Sequence, residues 1–268
     1  MFDFIVVGGG LFGSVAARVL RVSGAKVLML DAAHKEAGSG PAACLMKPSW
    51  FSSLGKEVYK PSLELVDRLY GVQDLSFKVL MGHATVHWCD PAKILAEPKQ
   101  QATVRRIVVA QKHWQVETNK EEYSARHVVL AAGIWTPMLT PVEGGLVGQA
   151  GLACLWAKAK LDIPFVRVWA PYRQITAFNR GDGVWCGDST AIRAQNWTEK
   201  HASAVEQRCS NAVGLTKPQR LFGIRPYSAM KPCYLKEARP GLWVATGGAK
   251  NGTIAAGWCA HKILEAVA

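Results

Sequence analysis

The stretch Asp3-Phe-Ile-Val-Val-Gly-Gly-Gly-Leu-Phe-Gly-Ser-Val-Ala-Ala-Arg18 decides the fold. Residues 4–7 are a short apolar run rich in β-branched side chains, which predicts a buried strand. Gly8, Gly10 and Gly13 then spell Gly-x-Gly-x-x-Gly, with Leu11 and Phe12 inside it, and helical apolar spacing continues through Leu20. A second apolar strand, residues 26–30, leads into Asp31. In such an arrangement one glycine makes the turn, one lets backbone N–H groups approach a pyrophosphate, and one lets the helix pack on the sheet. The helix start attracts phosphate charge. Asp31 lies 18 residues past Gly13, where a carboxylate accepts ribose hydroxyls. The set predicts an adenine dinucleotide site. An ordinary glycine-rich turn leaves Asp31 unexplained.

Residues 37–48 form a loop of small and glycine residues that would let a flat cofactor approach the backbone; a surface loop is the competing reading. Residues 62–70 pattern as an amphipathic helix and 76–88 as strands. Asp90-Pro91 reads as an N-cap followed by proline at the first helical position. Residues 103–110, 113–118 and 123–124 alternate as an antiparallel meander, and 127–136 give a buried strand ending in small residues and a turn.

A glycine-rich change of region follows at 141–151. Residues 152–159, 166–170, 173–178 and 183–186 predict one antiparallel sheet, with Gly181-Asp-Gly183 as a hairpin turn. Trp156, Trp169, Trp185 and Trp197 belong to this region, as core, as interface or as base-stacking platforms. Residues 198–214 predict a helix opened by Thr198 and closed by Gly214. Leu221-Phe-Gly-Ile-Arg-Pro226 sets an arginine in an apolar strand, and residues 241–253 give a strand and a glycine loop before a closing helix.

With 268 residues the chain has room for one large domain or two interleaved ones. No apolar run reaches the length of a membrane span, and a strand so near Met1 leads us to expect neither signal nor transit peptide. Seven scattered cysteines without Cys-x-x-Cys predict reduced thiols, a cytoplasmic location and no zinc. The net charge of +12 is the unusual feature and favours a polyanionic partner, nucleic acid first.

In this order, the segments resemble the FAD-dependent D-amino-acid oxidase superfamily, in its glycine and sarcosine oxidase branch. The resemblance rests on Gly8-x-Gly10-x-x-Gly13 with Asp31, Gly38-Ser-Gly40, Asp90-Pro91, Leu130-Ala-Ala-Gly-Ile-Trp135, Gly223-Ile-Arg-Pro226 and Gly247-Gly-Ala-Lys-Asn-Gly252, and spans nearly the whole chain. It implies an α/β fold: a Rossmann-like FAD-binding domain (1–45, 90–148 and 221–268) interleaved with a small antiparallel-sheet substrate domain (46–89 and 149–220). It implies FAD contacts at Gly8, Gly10, Leu11, Phe12, Gly13, Asp31, Ser39, Gly40, Ala132, Gly133, Trp135, Gly223, Gly248, Ala249, Lys250, Asn251, Gly252 and Thr253, and no metal.

The chain departs from the family by being shorter, which trims the substrate part and opens the flavin to a large substrate. Where the family often has an acidic residue after the Gly-x-Arg-Pro strand, this chain has Tyr227-Ser-Ala-Met-Lys231. Sarcosine oxidases attach flavin to a cysteine. Cys233 does not match that spacing, so non-covalent FAD is expected.

The implied chemistry moves a hydride from the carbon beside a neutral amine nitrogen to flavin N5. Arg225 matches the position that binds substrate carboxylate, and Lys250 matches a lysine reaching the same group. The competing readings are a buried ion pair for Arg225 and a solvent-facing loop side chain for Lys250. The helix from Thr253 would aim its positive end at the flavin N1/C2=O edge. Tyr172, Tyr227 and His83 are further pocket candidates.

The superfamily includes a tRNA-modifying branch that trims carboxymethylaminomethyl-uridine to aminomethyl-uridine and glyoxylate, and similar enzymes are implied in viral DNA hypermodification. The charge, the tryptophans and the trimmed roof favour such an amine attached to DNA or RNA, with Lys99, Arg105, Arg106, Arg180, Arg193, Lys217 or Arg220 on phosphates. Two other readings stand beside it: an oxidase of free glycine, sarcosine or a proline-like acid, and a non-catalytic flavin-binding subunit of a heteromer. No membrane partner is expected, and the oligomeric state is left open.

Overall fold

Two sheets share the chain in the computed structural model, which describes residues 1–46, 56–79, 82–169 and 173–267. The first half runs β1 (Phe2–Val7), α1 (Leu11–Val22), β2 (Val27–Asp31), β3 (Leu45–Met46), α2 (Lys56–Tyr70), β4 (Gln73–Val79), β5 (Gly82–Trp88), α3 (Pro91–Leu95), β6 (Gln100–Gln101), β7 (Val104–Ala110), β8 (His113–Thr118) and β9 (Glu122–Leu130). After a 3-10 turn at Gly133–Met138 come β10 (Val147–Ala157), β11 (Phe165–Trp169), β12 (Arg173–Arg180), β13 (Gly183–Gly187), β14 (Ile192–Arg193), α4 (Glu199–Val213), β15 (Gln219–Tyr227), β16 (Tyr234–Arg239), β17 (Leu242–Thr246) and α5 (Gly252–Val267).

The first sheet has the order β16-β17-β9-β1-β2-β6, and the hairpin β7–β8 extends it from β9. β1 pairs in parallel with β2 and β9, and β9 with β17. Such a strand is covered on both faces, which is why residues 4–7 are continuously apolar. Phe4 and Val6 pack under α1, α2 and α5 with Val15, Leu20, Val66 and Ile263. Ile5 and Val7 point the other way, to Trp114, Val116, Val128 and Val244. The two expected segments at 123–124 and 127–130 are one strand. Arg126 does not break it, because this exposed side chain reaches Asp3 at 3.3 Å while Ala125 and His127 pair with β1.

The second sheet has the order β14-β10-β13-β12-β11-β4-β5-β3, with β15 on the other edge of β10. The four strands expected in one antiparallel sheet are all there. The sheet is nonetheless mixed, because β11 meets β4 in parallel at Phe165 and Lys78. β15 crosses the boundary expected between the substrate segment and the last cofactor segment, and pairs with β10 from Val147↔Tyr227 to Leu155↔Gln219. The β12–β13 hairpin turns at Gly181-Asp182, where Arg180 grips the Asp182 carboxylate through Nε at 2.9 Å and Nη2 at 2.6 Å.

Helix α4 begins where the Thr198 N–H donates to His201 Nδ1 at 3.1 Å and ends at Gly214 with φ 72°. Its Ala202, Val205 and Cys209 pack on Cys154, Ile175 and Cys186 of the sheet. Asp90 caps α3 by accepting the Ala92 N–H at 2.9 Å. All seven cysteines are free thiols and buried. Among the described residues no helix is long and apolar enough to cross a membrane, and no group of His, Cys, Asp and Glu is arranged to hold a metal.

Candidate cofactor and substrate site

One cavity of about 980 Å³ runs between the two sheets. Its floor is the carboxyl end of the parallel sheet, where ligands of open α/β sheets collect. The turn after β1 requires glycine twice. Gly8 has φ +105°, and a Cβ there would lie 2.4 Å from the Ala131 carbonyl oxygen. A Cβ on Gly13 would lie 1.8 Å from the Gly8 carbonyl oxygen, so any side chain would push α1 off the strand.

Helix α1 carries no acid in its first turn, and Ser39 reaches in from the 37–45 loop so that the Leu11 N–H donates to its Oγ at 3.0 Å. Asp31, at the end of β2, accepts the Ala33 N–H on Oδ1 at 3.1 Å and has no ion pair among the described residues. The open helix start, glycine turn and carboxylate fit a long phosphate-bearing dinucleotide.

The cavity lining includes Gly8, Gly10, Leu11, Phe12, Asp31, Ser39, Ala132, Gly133, Trp135, Gly223, Gly248, Ala249, Asn251, Gly252 and Thr253. Gly13 and Gly40 stand behind it: the first lies in the opening turn of α1 against the Gly8 carbonyl, and the second gives its carbonyl to Arg180 Nη1 at 3.4 Å. Trp135 stacks on His34 at the same cavity, with ring centroids 4.2 Å apart. Of the cysteines, Cys44 lines the cavity, and burial pushes its thiol up to about 11. Cys233 is 1% exposed and faces Cys259, Sγ to Sγ 3.2 Å.

Arg225 and Lys250 line the same space. Arg225 projects from β15 opposite Gln149 of β10, and Nη2 donates to the Thr190 carbonyl at 2.8 Å. The absence of a side chain on Gly151 leaves room for the guanidinium, since a Cβ there would meet Nη2 at 2.7 Å. Lys250 follows Ala249 in the turn before α5, and its Nζ lies 3.5 Å from the Ser189 carbonyl. Neither cation has a carboxylate partner among the described residues. Burial lowers the pKa of Arg225; burial and then the Arg225 charge lower that of Lys250.

The nearest buried acid, Asp188, is already engaged. It accepts from Arg208 Nε at 2.8 Å and Nη2 at 2.5 Å, from Thr190 Oγ1 at 2.8 Å and from the Thr190 N–H at 3.0 Å. Sequence reading missed this Asp188-Ser189-Thr190 turn. Its signal was short polar residues directly after a buried strand, the composition of side-chain-stapled turns.

Several expected residues lie elsewhere. His83 is exposed on β5, against Ser76 Oγ at 3.3 Å. Tyr227 is outside the lining, with Lys231 Nζ 5.3 Å from its ring centre. Tyr172 and the Trp169 side chain lie outside the described residues. Trp156 donates to the Thr216 carbonyl at 3.0 Å in the α4 core, and Trp197 packs on Phe222. Trp185 does line the cavity, its Nε1 donating to the Pro41 carbonyl at 3.1 Å.

The expected phosphate contacts also separate. Arg180 is held by Asp182, Arg220 by Glu199 and Glu206 at 2.5 Å each, and Arg106 lies 3.9 Å from Glu117. Lys99 is spent on the carbonyls of Leu95 at 2.7 Å and Gly9 at 3.4 Å. Arg105, Arg193 and Lys217 have no ion pair among the described residues. A second concavity gathers Lys93, Lys158 and Lys160, which sequence reading did not single out.

A family model described as FAD dependent oxidoreductase matches residues 94–266. No curated protein matches the sequence. Among solved structures, glycine oxidase from Bacillus cereus ATCC 14579 is similar with TM-score 0.72 and 16% identity, over 100% of this chain and 95% of that one. Iminodiacetate oxidase from Chelativorans sp. BNC1 gives TM-score 0.69 and 15% identity, over 98% and 95%. Glycerol-3-phosphate dehydrogenase from Bacillus halodurans, complexed with FAD, gives 0.66 and 15%, over 100% and 64%. At such identities the likeness is one of fold, and it agrees with the expected α/β architecture.

Proposed function

The chain belongs to the FAD dependent oxidoreductase family, and from that premise we propose that it oxidises a carboxylate-bearing, glycine-like amine carried on a nucleic-acid base. The observation that carries the reading is the convergence of Arg225 and Lys250 on one cavity, neither paired with a carboxylate. Two such cations in a partly dry site call for an anion. A substrate carboxylate supplies it, and the planar guanidinium suits a bidentate grip. The names of glycine oxidase and iminodiacetate oxidase, two of the similar structures, point to amines of this kind.

FAD, when bound, supplies the two-electron acceptor. In this reading Gly8, Gly10 and the start of α1 would hold its pyrophosphate, Asp31 would hold the ribose, and the turn from Gly248 to Thr253, opening α5, would hold the flavin. Arg225 and Lys250 would fix the substrate carboxylate, which is a positioning effect. The balanced reaction is base–CH2–NH–CH2–COO⁻ plus FAD and water, giving base–CH2–NH2, glyoxylate and FADH2. The amine enters neutral, so no strong protein base is required.

The base-linked form of the substrate is supported by the net charge of +12 and by the second concavity. There Asp90 and Asp182 are already engaged by the Ala92 N–H and Arg180, while Lys158 and Lys160 have no ion pair among the described residues, and Lys93, whose Nζ donates to the Tyr70 carbonyl at 3.3 Å, has no carboxylate partner there. Phosphates would satisfy these lysines.

The test is anaerobic. FAD-loaded protein is mixed with glycine or sarcosine, then with an oligonucleotide carrying a glycine-modified pyrimidine. Bleaching of the visible flavin band by the oligonucleotide alone is the expected result. Bleaching by the free amino acids returns the protein to small-molecule oxidation, and no bleaching at all makes it a non-catalytic flavin-binding subunit.

A further inference from the structure

Asp188 is 1% exposed at the end of β13. Removing a carboxylate from water is costly unless it is paired and hydrogen-bonded, and Arg208, reaching over from α4, supplies the pair. The acid also accepts twice from Thr190, through its N–H and its hydroxyl. Between them Ser189 takes a left-handed φ of 57°, a conformation a serine holds only when its surroundings fix it. Its Oγ accepts the Gln174 N–H at 3.1 Å, which ties the turn to β12. The carbonyls of this turn are the groups that face the two cavity cations: Thr190 toward Arg225 at 2.8 Å, Ser189 toward Lys250 at 3.5 Å.

We propose that Asp188, paired with Arg208, is a positioning residue: it fixes the Ser189–Thr190 turn so that its carbonyls aim Arg225 and Lys250 at the substrate carboxylate. The proposal rests on the reading of Arg225 and Lys250 as the carboxylate clamp. Asp188 borders the cavity but makes no hydrogen bond or ion pair with either cation among the described residues; it acts through the backbone it holds.

The sign of one effect separates this role from plain electrostatics. Asp188 puts a negative charge near an anion site. By Coulomb's law alone, replacing it with neutral Asn tightens anion binding. If the acid positions the clamp, the same change loosens the turn and weakens binding. Asp188→Asn keeps an acceptor for the Thr190 N–H and loses the charged pair with Arg208.

The experiment titrates FAD-loaded protein with acetate, followed by the change in the flavin absorption bands, and measures KM and kcat for the glycine-bearing oligonucleotide. Asp188→Asn and Arg208→Gln are each expected to weaken acetate binding about tenfold, the loss of one or two charge-assisted hydrogen bonds. KM rises while kcat stays within about threefold, the pattern of a lost binding contact. Thr190→Val removes only the hydroxyl and is expected to weaken acetate roughly two- to threefold. It decides the matter if Asp188→Asn fails to retain FAD. Arg225→Met is the reference. If it leaves acetate affinity unchanged, the clamp reading itself fails. If it weakens acetate while the Asp188, Arg208 and Thr190 variants leave affinity unchanged or tighter, the clamp stands and the positioning role is overturned.

Discussion

The glycine crevice and the cation pocket line one cavity, but they are assembled in different ways. The crevice comes from neighbours in sequence: β1, the glycine turn, α1 and β2 lie within residues 2–31. Its function rests on backbone and on absent side chains, as at Gly8 and Gly13. The pocket is collected from the turn after β13, from β15 and from the turn before α5, and it rests on charge. The crevice therefore tolerates little added volume, whereas the pocket tolerates little change of charge or aim. The crevice is framed mainly by local geometry and the pocket by long-range strand pairing, above all β10 with β15.

The largest expected effect breaks the crevice. Gly13→Val places methyl groups where even a Cβ would lie 1.8 Å from a carbonyl oxygen. Overpacking of this kind costs about 3 kcal/mol or more, since the clash is with backbone. FAD content, read from the visible absorption of purified protein, is expected to fall close to zero, and the melting temperature to drop. Retention of wild-type FAD content would mean that the helix does not need this contact.

Next comes the pocket. Arg225→Met is expected to keep FAD, because the guanidinium bonds to the Thr190 carbonyl and not to the glycine turn, and to lower kcat/KM for the glycine-bearing substrate by about 100-fold, the loss of a bidentate charged contact. Equal losses of FAD and of turnover would show that the crevice and the pocket are not separable.

A pH profile sharpens the same contrast. Burial and the Arg225 charge hold Lys250 below the usual lysine range of about 10.4. A lysine with a lowered pKa loses its proton at lower pH, so acetate affinity is expected to weaken as pH rises toward that range. In Lys250→Met this step should vanish. A step of unchanged size in the variant would assign it to another group.

The smallest effect concerns the second concavity. Changing Lys93, Lys158 and Lys160 together to Gln is expected to lower the salt dependence of oligonucleotide binding by up to about 0.9 in log–log slope per lost phosphate contact. FAD content and acetate affinity should not move. An unchanged slope would place the polyanion track elsewhere on the chain.

The same division runs through what the sequence revealed. The β1-α1-β2 unit, Asp31, the Asp90 cap and the Thr198 to Gly214 helix were legible because each is a local pattern whose residues meet their neighbours. Arg225 and Lys250 were legible only through family resemblance, since a lone cation carries no sign of what it faces. The Asp188–Arg208 pair was not legible, because it joins a strand end to a helix across the packed core of the second sheet. Charge read along the chain also did not show which cations are already paired. Arg180 meets Asp182 across its own hairpin turn, and Arg220 meets Glu199 and Glu206 on α4, so neither is left for a ligand. The parallel junction of β11 with β4 has no sequence signature at all, since pairing direction depends on what lies beside a strand.

In the proposed function the cavity takes a glycine-like carboxylate borne on a nucleic-acid base and sets its C–N bond for oxidation. The most direct measurement compares two oligonucleotides, mixed anaerobically with FAD-loaded protein. One carries a glycine-modified pyrimidine and the other the matching aminomethyl pyrimidine, which lacks the carboxylate. The first is expected to bleach the flavin and release one glyoxylate per FAD reduced, while the second leaves the band intact. Equal bleaching by both, or bleaching by free glycine with neither oligonucleotide active, would contradict it.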